Sequence, residues 1–420
     1  MGANWAGAVE CQQAGTGENS SALASLGGIY NGLAMHFGFT PAQNAFRQEI
    51  RDFLAREMPT GWRGRHFIWM TDDEWRVARE FDRKLGKQGW LALTWPKEYG
   101  GQQRGPMEQA IFLEEMGYNR APNSGGWAHG PVFVGPTIMH YGSAEMKAEH
   151  IPPISRGDLL WCQGFSEPIA GSDLAALETS AERDGDDYVV NGMKHLIGMG
   201  QRADWCILAA RTDTHVPKHK GVSLFLVDMR SPGVRVELMP TLPKYGTQTR
   251  IFFKQVRVPK SRLLGEENHG FYQMMTTMDL ERNRIMFAAD AARTVDDLVA
   301  YARQHKAAPL LRHRLAERRI EASTAILLNY RIAWIQEQGR IPTAEASIGK
   351  LFSEELRKRV SATGIEMIGL MGQLSYEEAL APNNGGWCDH YLGMVSSTIV
   401  GGASEVQRNI IAQRGLGLPR

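Results

Sequence analysis

Residues 164–179 read GFSEPIAGSDLAALET and place two hydroxyls and a glycine within a short span. Gly171 permits close backbone approach, while Ser166 and Ser172 add hydroxyls, a set that suits a phosphate or a flavin edge. The same residues also suit a tight loop whose hydroxyls are satisfied internally. A second candidate is a lone carboxylate. Met274, Met278, Glu281 and Ile285 fall on one helical stripe, so Glu281 is expected among apolar neighbours. A carboxylate drawn out of water holds a proton more tightly, which suits a general base. The pattern equally allows Glu281 to edge the stripe and pair with Arg282 or Arg284.

Other chemistries find less support. The histidines form no ligand-spaced cluster, and an isolated one such as His129 reads as a satisfied structural residue. The four cysteines, Cys11, Cys162, Cys206 and Cys388, form no C-x-x-C pair, so neither a zinc site nor a disulfide framework is expected. A reducing, cytoplasmic setting follows from that usage. With 47 basic against 46 acidic residues the net charge is +1, too small a field to favour nucleic acid or anionic lipid. The basic run at 312–319, RHRLAERR, reads as the solvated face of a helix. No apolar run is long enough to span a bilayer. Gly198, Gly200 and Ala203 match G-x-G-x-x-A, but a strand-like run follows where a dinucleotide site needs a helix, which makes the match fortuitous.

The elements that must position these residues fall into three blocks. Residues 1–34 have no periodic apolar face and are expected to be a loose tail, with Met35 as a natural start. Thr40, Pro41 and Gln43 then spell a helix start with a capping box. A helical period holds over 35–155, with Pro152 and Pro153 expected to end its last helix. Over 156–270 the period shortens. Runs at 188–197, 204–211, 222–229, 234–239 and 249–258 are rich in β-branched and aromatic residues and are bounded by turn signals. From 271 to 420 the helical period returns, broken near Pro309, Pro342 and 383–386. Helices, strands, then helices predict a multidomain α+β chain rather than a doubly wound sheet.

The order of motifs is more specific than any one of them. Residues 164–179 resemble the T/S-E-P-x-A-G-S-D signature of acyl-CoA dehydrogenases. They are followed by D-G-D-x-Y-V-V-N-G-x-K at 184–194, R-A-D-W at 202–205, V-R-V-P at 256–259 and L-L-G-E-E-N-x-G at 263–270. The chain ends in GGASEVQRNIIAQRGLGLPR at 401–420, and WPKEYGG at 95–101 fits the first domain. The resemblance runs in order from about residue 39 to the end.

That resemblance implies an α-helical N-terminal domain, a central β-barrel and a C-terminal four-helix bundle. It implies FAD held between barrel and bundles against a neighbouring subunit, an acyl-CoA substrate, and an electron-transfer flavoprotein as acceptor. Gln163, Phe165, Ser166, Gly171, Ser172, Leu196, Gly198, Gly369, Ser404 and Glu405 are the implied cofactor-binding positions. Ser172, Asp279 and Arg282 are the implied contacts to the CoA part. The family places its catalytic Glu either just before a Gly in the final segment or just before an Arg in the helix near 280. Here the first position is Gly401, which leaves Glu281, followed by Arg282, as the implied base.

The sequence also departs from the family. Leu196 and Gly198 stand where relatives carry an aromatic ring and a Thr or Ser. The Arg-x-x-Phe-Gly element has no match in 301–311, the Q-x-x-G-G element survives only as Glu366 to Leu370, and the usual Thr is Ala403. Losing one hydrogen bond and one stacking contact predicts FAD affinity lowered roughly ten- to a hundredfold. Two readings besides a plain homo-oligomeric dehydrogenase therefore stand. One is a flavin-poor subunit of a heteromeric dehydrogenase. The other is a flavin oxidase or monooxygenase on the same fold.

Overall fold

The computed structural model describes residues 38–62, 64–125, 129–280 and 283–419, without the side chains of 67, 276–280 and 384. The tail before Met35 lies outside the described residues. The expected capping box is present: Gln43 N–H donates to Thr40 Oγ1 at 3.2 Å, and Thr40 N–H donates to Gln43 Oε1 at 3.0 Å.

Five helices lead the chain: α1 (Pro41–Glu57), α2 (Asp72–Lys87), α3 (Pro106–Tyr118), α4 (Gly135–Tyr141) and α5 (Ala144–Ser155). Pro152 and Pro153 lie inside the last turn of α5 rather than ending it. Their carbonyls still accept, from Arg156 N–H at 3.2 Å and Asp158 N–H at 2.9 Å. The helix end thus remains capped despite the two missing donors.

Eight strands follow: β1 (Trp161–Gly164), β2 (Ser180–Asp184), β3 (Asp187–Ile197), β4 (Trp205–Arg211), β5 (Val222–Asp228), β6 (Val234–Pro240), β7 (Thr247–Pro259) and β8 (Leu263–Leu264). They pair in the order β6-β7-β3-β2-β4-β5-β8, with β1 parallel to β4. Sequence periodicity finds β3 to β7 and misses β1, β2 and β8, which are short or polar. All eight strands contribute to one interior cluster built around Tyr188, Phe225 and Phe253, as a barrel requires. Strands β4 and β5 are buried on both faces. Cys206, Leu208 and Phe225 point into the barrel, while Ile207, Ala209 and Leu226 pack with Phe133 and Ile138 of the helical region.

The C-terminal helices are α6 (Gly270–Leu280), α7 (Ile285–Gln304), α8 (Pro309–Glu337), α9 (Ala344–Ile368), α10 (Gly386–Met394) and α11 (Ser404–Ile410). Val295, Leu315, Val360 and Trp387 join α7, α8, α9 and α10 in a four-helix core. The single stripe expected from Met274 to Ile285 is not continuous. Asn283 and Arg284 are non-helical, because Asn329 Oδ1 accepts Arg284 N–H at 2.8 Å and Asn283 Oδ1 accepts Ile285 N–H at 3.0 Å. The two ends of the stripe accordingly enter different cores: Met274 joins the barrel-side cluster, and Ile285 packs with Ala110 and Ala333. The run at 312–319 lies on α8 and is matched by acids, Arg314 with Glu366, Arg318 with Glu321 and Arg319 with Asp296.

Candidate active site and its two halves

The first half lies at the end of β1. Gln163 is on the strand, Phe165 follows and is buried, and the carbonyl of Ser166 accepts His195 N–H at 2.8 Å. That bond fastens the loop to β3. A buried ion pair fixes it further: Lys194 Nζ donates to Glu167 Oε1 at 2.7 Å and to the Phe165 carbonyl at 3.1 Å. Glu167 also accepts the N–H groups of Glu178 at 2.6 Å and Thr179 at 2.9 Å. Burial works to raise the Glu167 carboxyl, but the Lys194 charge overcomes it and holds the group below its usual range. Burial pushes the Lys194 amine down to about 8 against the pull of Glu167.

Just past Lys194 the β3–β7 register slips, a bulge that puts Leu196 at φ +57° with 58% of its surface exposed. An apolar residue is thereby held out at the strand end beside Gly198. The structure thus ties Phe165 and Ser166 to Lys194 and His195 at the end of β3, with Leu196 and Gly198 next in the chain. Gly171 and Ser172 lie exposed in the following loop, and nothing stands within 4 Å of where a Cβ on Gly171 would be. The G-x-G-x-x-A match runs into β4, not a helix.

Gly369, Ser404 and Glu405 belong to a different neighbourhood, held by α9. Gly369 ends that helix at φ +70°, donating its N–H to the Ile365 carbonyl. Ser404 is buried and donates to Glu355 Oε1 at 2.8 Å, while Glu405 is exposed on the first turn of α11. Asp279 lies on α6, without a described side chain; Glu281 and Arg282 lie outside the described residues. Their neighbour Arg284 is described. A Cβ on Gly401, itself at φ +65°, would sit 2.9 Å from Arg284 Nη2.

The second half is a cavity of about 980 Å³, counting its open mouth, between the N-terminal helices and the bundle. Two glycines shape it. A Cβ on Gly117 would meet the Met286 carbonyl at 2.3 Å, so α3 lies against the start of α7. One on Gly393 would meet the Trp69 ring at 2.1 Å, which seats that indole on the wall.

The cavity's charged lining is paired. Arg120 donates to Asp290 at 2.8 Å, Asp297 at 2.9 Å and Thr294 Oγ1 at 2.8 Å. Arg357 pairs with Glu354 at 3.1 Å and Arg65 with Glu74 at 2.9 Å. Burial opposes ionisation of Asp290, but Arg120, His390 and Arg357 hold its pKa down to about 2. Burial lowers His66 to about 3, helped by the Arg357 charge, and lowers His390 to about 4 against the pull of Asp290. Both rings are neutral at ordinary pH and so offer one donor and one acceptor each. None of these cavity residues was singled out from the sequence. They come from segments far apart in the chain, and no local motif marks them.

The acyl-CoA dehydrogenase N-terminal domain family matches residues 40–158, the middle domain 162–256 and the C-terminal domain 268–416. The acyl-CoA dehydrogenase FadE26 of Mycobacterium tuberculosis is 34% identical over 410 residues, covering 92% of this chain and 99% of the relative. The solved Tcur3481–Tcur3483 steroid ACAD superposes with a TM-score of 0.84 at 32% identity, over 92% of this chain and 100% of its own. The ChsE4–ChsE5 complex from Mycobacterium tuberculosis superposes with 0.78 at 33% identity, over 92% and 100%. Among the described residues no helix is long and apolar enough to cross a membrane. With all three domains matched in order, the chain belongs to the acyl-CoA dehydrogenase family, oxidoreductases that bind FAD.

Proposed function

We propose that the chain catalyses FAD-dependent α,β-dehydrogenation of an acyl-CoA thioester, with Glu281 as the base. The observation that carries this reading is the approach of Gly401 to Arg284. The family's two alternative positions for the catalytic Glu are represented in this chain by Gly401 and by Glu281, which precedes Arg284 by three residues in the sequence. Gly401 has no carboxylate, and the Arg284 guanidinium occupies the space a side chain would need. Glu281 is left to supply the acid–base group.

The strand-end surface fits the isoalloxazine of FAD. Leu196 offers an exposed apolar face, and Gln163 and Ser166 offer polar groups beside it. The Glu167–Lys194 pair keeps that surface in place by tying loop to strand. Ser172, Asp279 and Arg282 would meet the CoA part, Arg282 contributing the charge a phosphate needs. Bound FAD supplies the acceptor for the hydride that leaves the β-carbon. Glu281 takes the proton from the α-carbon, so both electron pairs are accounted for as the C=C bond forms. An electron-transfer flavoprotein would then reoxidise the enzyme, in the cytoplasm.

Gly369, Ser404 and Glu405, held by α9, would serve the cofactor of a neighbouring subunit in a dimer or tetramer. A second reading makes that neighbour a different chain, so that this one is a flavin-poor subunit of a heteromer. It is favoured by Leu196 and Gly198 at the strand end and by the likeness to the two-component ChsE4–ChsE5 complex. The flavin absorbance of the purified chain, alone and co-expressed with a related subunit, separates the two. Full occupancy alone supports the homomer, and occupancy only with the partner supports the heteromer.

A further inference from the structure

Two thiols that lie far apart in the sequence are neighbours in the barrel. Strands β1 and β4 run parallel, and Cys162 stands directly opposite Cys206 in their register. Both side chains are fully buried and belong to the same interior cluster, so they leave the sheet on one face. Adjacent strands lie about 4.8 Å apart. That falls inside the roughly 4.4–6.8 Å between Cα atoms that a disulfide spans. Both thiols are free, so the pair rests in its reduced form.

Two further features distinguish this pair from ordinary core cysteines. A Cβ built on Gly164 would sit 2.7 Å from Cys206 Sγ, so that sulfur reaches over β1 into space that a glycine leaves open. The same Cβ position is 3.6 Å from Lys194 Cγ, and the Lys194 ammonium acts electrostatically on Cys206. A cation beside a sulfur favours the thiolate, the form that attacks an oxidant. Cys162 is the poorer nucleophile of the two. The Cys206 thiol beside it, together with burial, pushes its own thiol well up.

We propose that Cys162 and Cys206 are a redox-active pair, a modification site for hydrogen peroxide that closes into a disulfide between β1 and β4. The Cys206 thiolate attacks one peroxide oxygen and the O–O bond breaks. Cys206 becomes a sulfenic acid, and the departing hydroxide takes up a proton to give water. Cys162 then attacks that sulfur and the S–O bond breaks. A second water carries off the oxygen together with the Cys162 proton. The two thiols lose two electrons and the peroxide gains them. Because both sulfurs are buried, the oxidant reaches them by local opening of the barrel. The link staples β1 just before Gln163 to Ser166, whichever reaction those residues serve.

The test is peptide mapping without reduction, after the full chain is treated with a small excess of hydrogen peroxide, quenched and alkylated. The expected product is one intramolecular Cys162–Cys206 link, reversed by dithiothreitol, with Cys388 outside any link. The linked chain should melt at least about two degrees higher, since the disulfide closes a long loop. In Cys162→Ser the reaction should stop at a sulfenic acid on Cys206 that dimedone captures. The proposal is overturned if both thiols stay alkylatable after unfolding while Cys388 is oxidised, or if they overoxidise without linking. A melting point lowered by the link would show that the barrel must distort to form it, which also overturns it. The wild-type map decides even if the serine variant does not fold.

Discussion

The strand end around Leu196 and the cavity around Asp290 are both held by buried ion pairs, but the pairs are arranged differently. At the strand end one buried ion pair, Glu167 with Lys194, anchors a loop so that an apolar residue can stand exposed. In the cavity ion pairs tie Arg120, just past α3, and Arg357 of α9 to Asp290 of α7 around an open space. The first arrangement holds one apolar residue out at a strand end. The second keeps a hole from collapsing, which apolar walls alone would favour. A single charge pair suffices where the backbone does the positioning, whereas a network is needed where side chains from separate helices must be held apart.

The sharpest way to break the strand end is Lys194→Met. It strands Glu167 as an unpaired buried carboxylate and should cost about 3–5 kcal/mol, read as a lower denaturant midpoint. Lys194→Met with Glu167→Leu should recover much of that loss. If the single change proves nearly neutral, the pair does not anchor the loop.

A second change sharpens the same region without breaking it. Leu196→Trp with Gly198→Thr restores the ring and hydroxyl that relatives present, and should raise FAD affinity roughly ten- to a hundredfold. The flavin-to-protein absorbance ratio after extensive dialysis measures it. Stoichiometric flavin in the unmodified chain would show that nothing is missing.

How far each half could be read beforehand follows from this construction. The strand-end residues lie within 163–198 and carry an ordered motif, so Gln163, Phe165, Ser166, Leu196 and Gly198 were recognisable together. The Leu196 bulge was not, because it depends on the register with β7. The β3 to β7 strands were legible from their alternation, while β1 (WCQG) and β2 (SAERD) were too short or too polar. The break at Asn283 and Arg284 was invisible because its cap comes from Asn329 on α8. The cavity was invisible for the same reason, since Arg65, Arg120, Asp290, Arg357 and His390 meet only through tertiary packing.

The cavity's weak point is acid. Free histidine protonates near 6.5, but His390 resists until about 4 and His66 until about 3. Between those values the unfolded chain binds more protons, so stability rises with pH across the window and falls on acidification. Below the ordinary carboxylate value of 3.8, protonation of Asp290 should remove a further contribution until about 2. The thermal midpoint should therefore drop by several degrees between about pH 6.5 and 4. His390→Phe should flatten the slope, and an unchanged slope would mean the ring is protonated in the fold.

The account's central claim is that Glu281 removes the α-proton. Its most direct test is the rate of flavin bleaching when acyl-CoA is mixed anaerobically with FAD-loaded wild type and Glu281→Gln, with substrate affinity measured alongside. The glutamine keeps size and hydrogen bonding but accepts no proton. The account predicts a reduction rate at least about 10²-fold lower with acyl-CoA still bound. Bleaching at the wild-type rate would show that another group is the base.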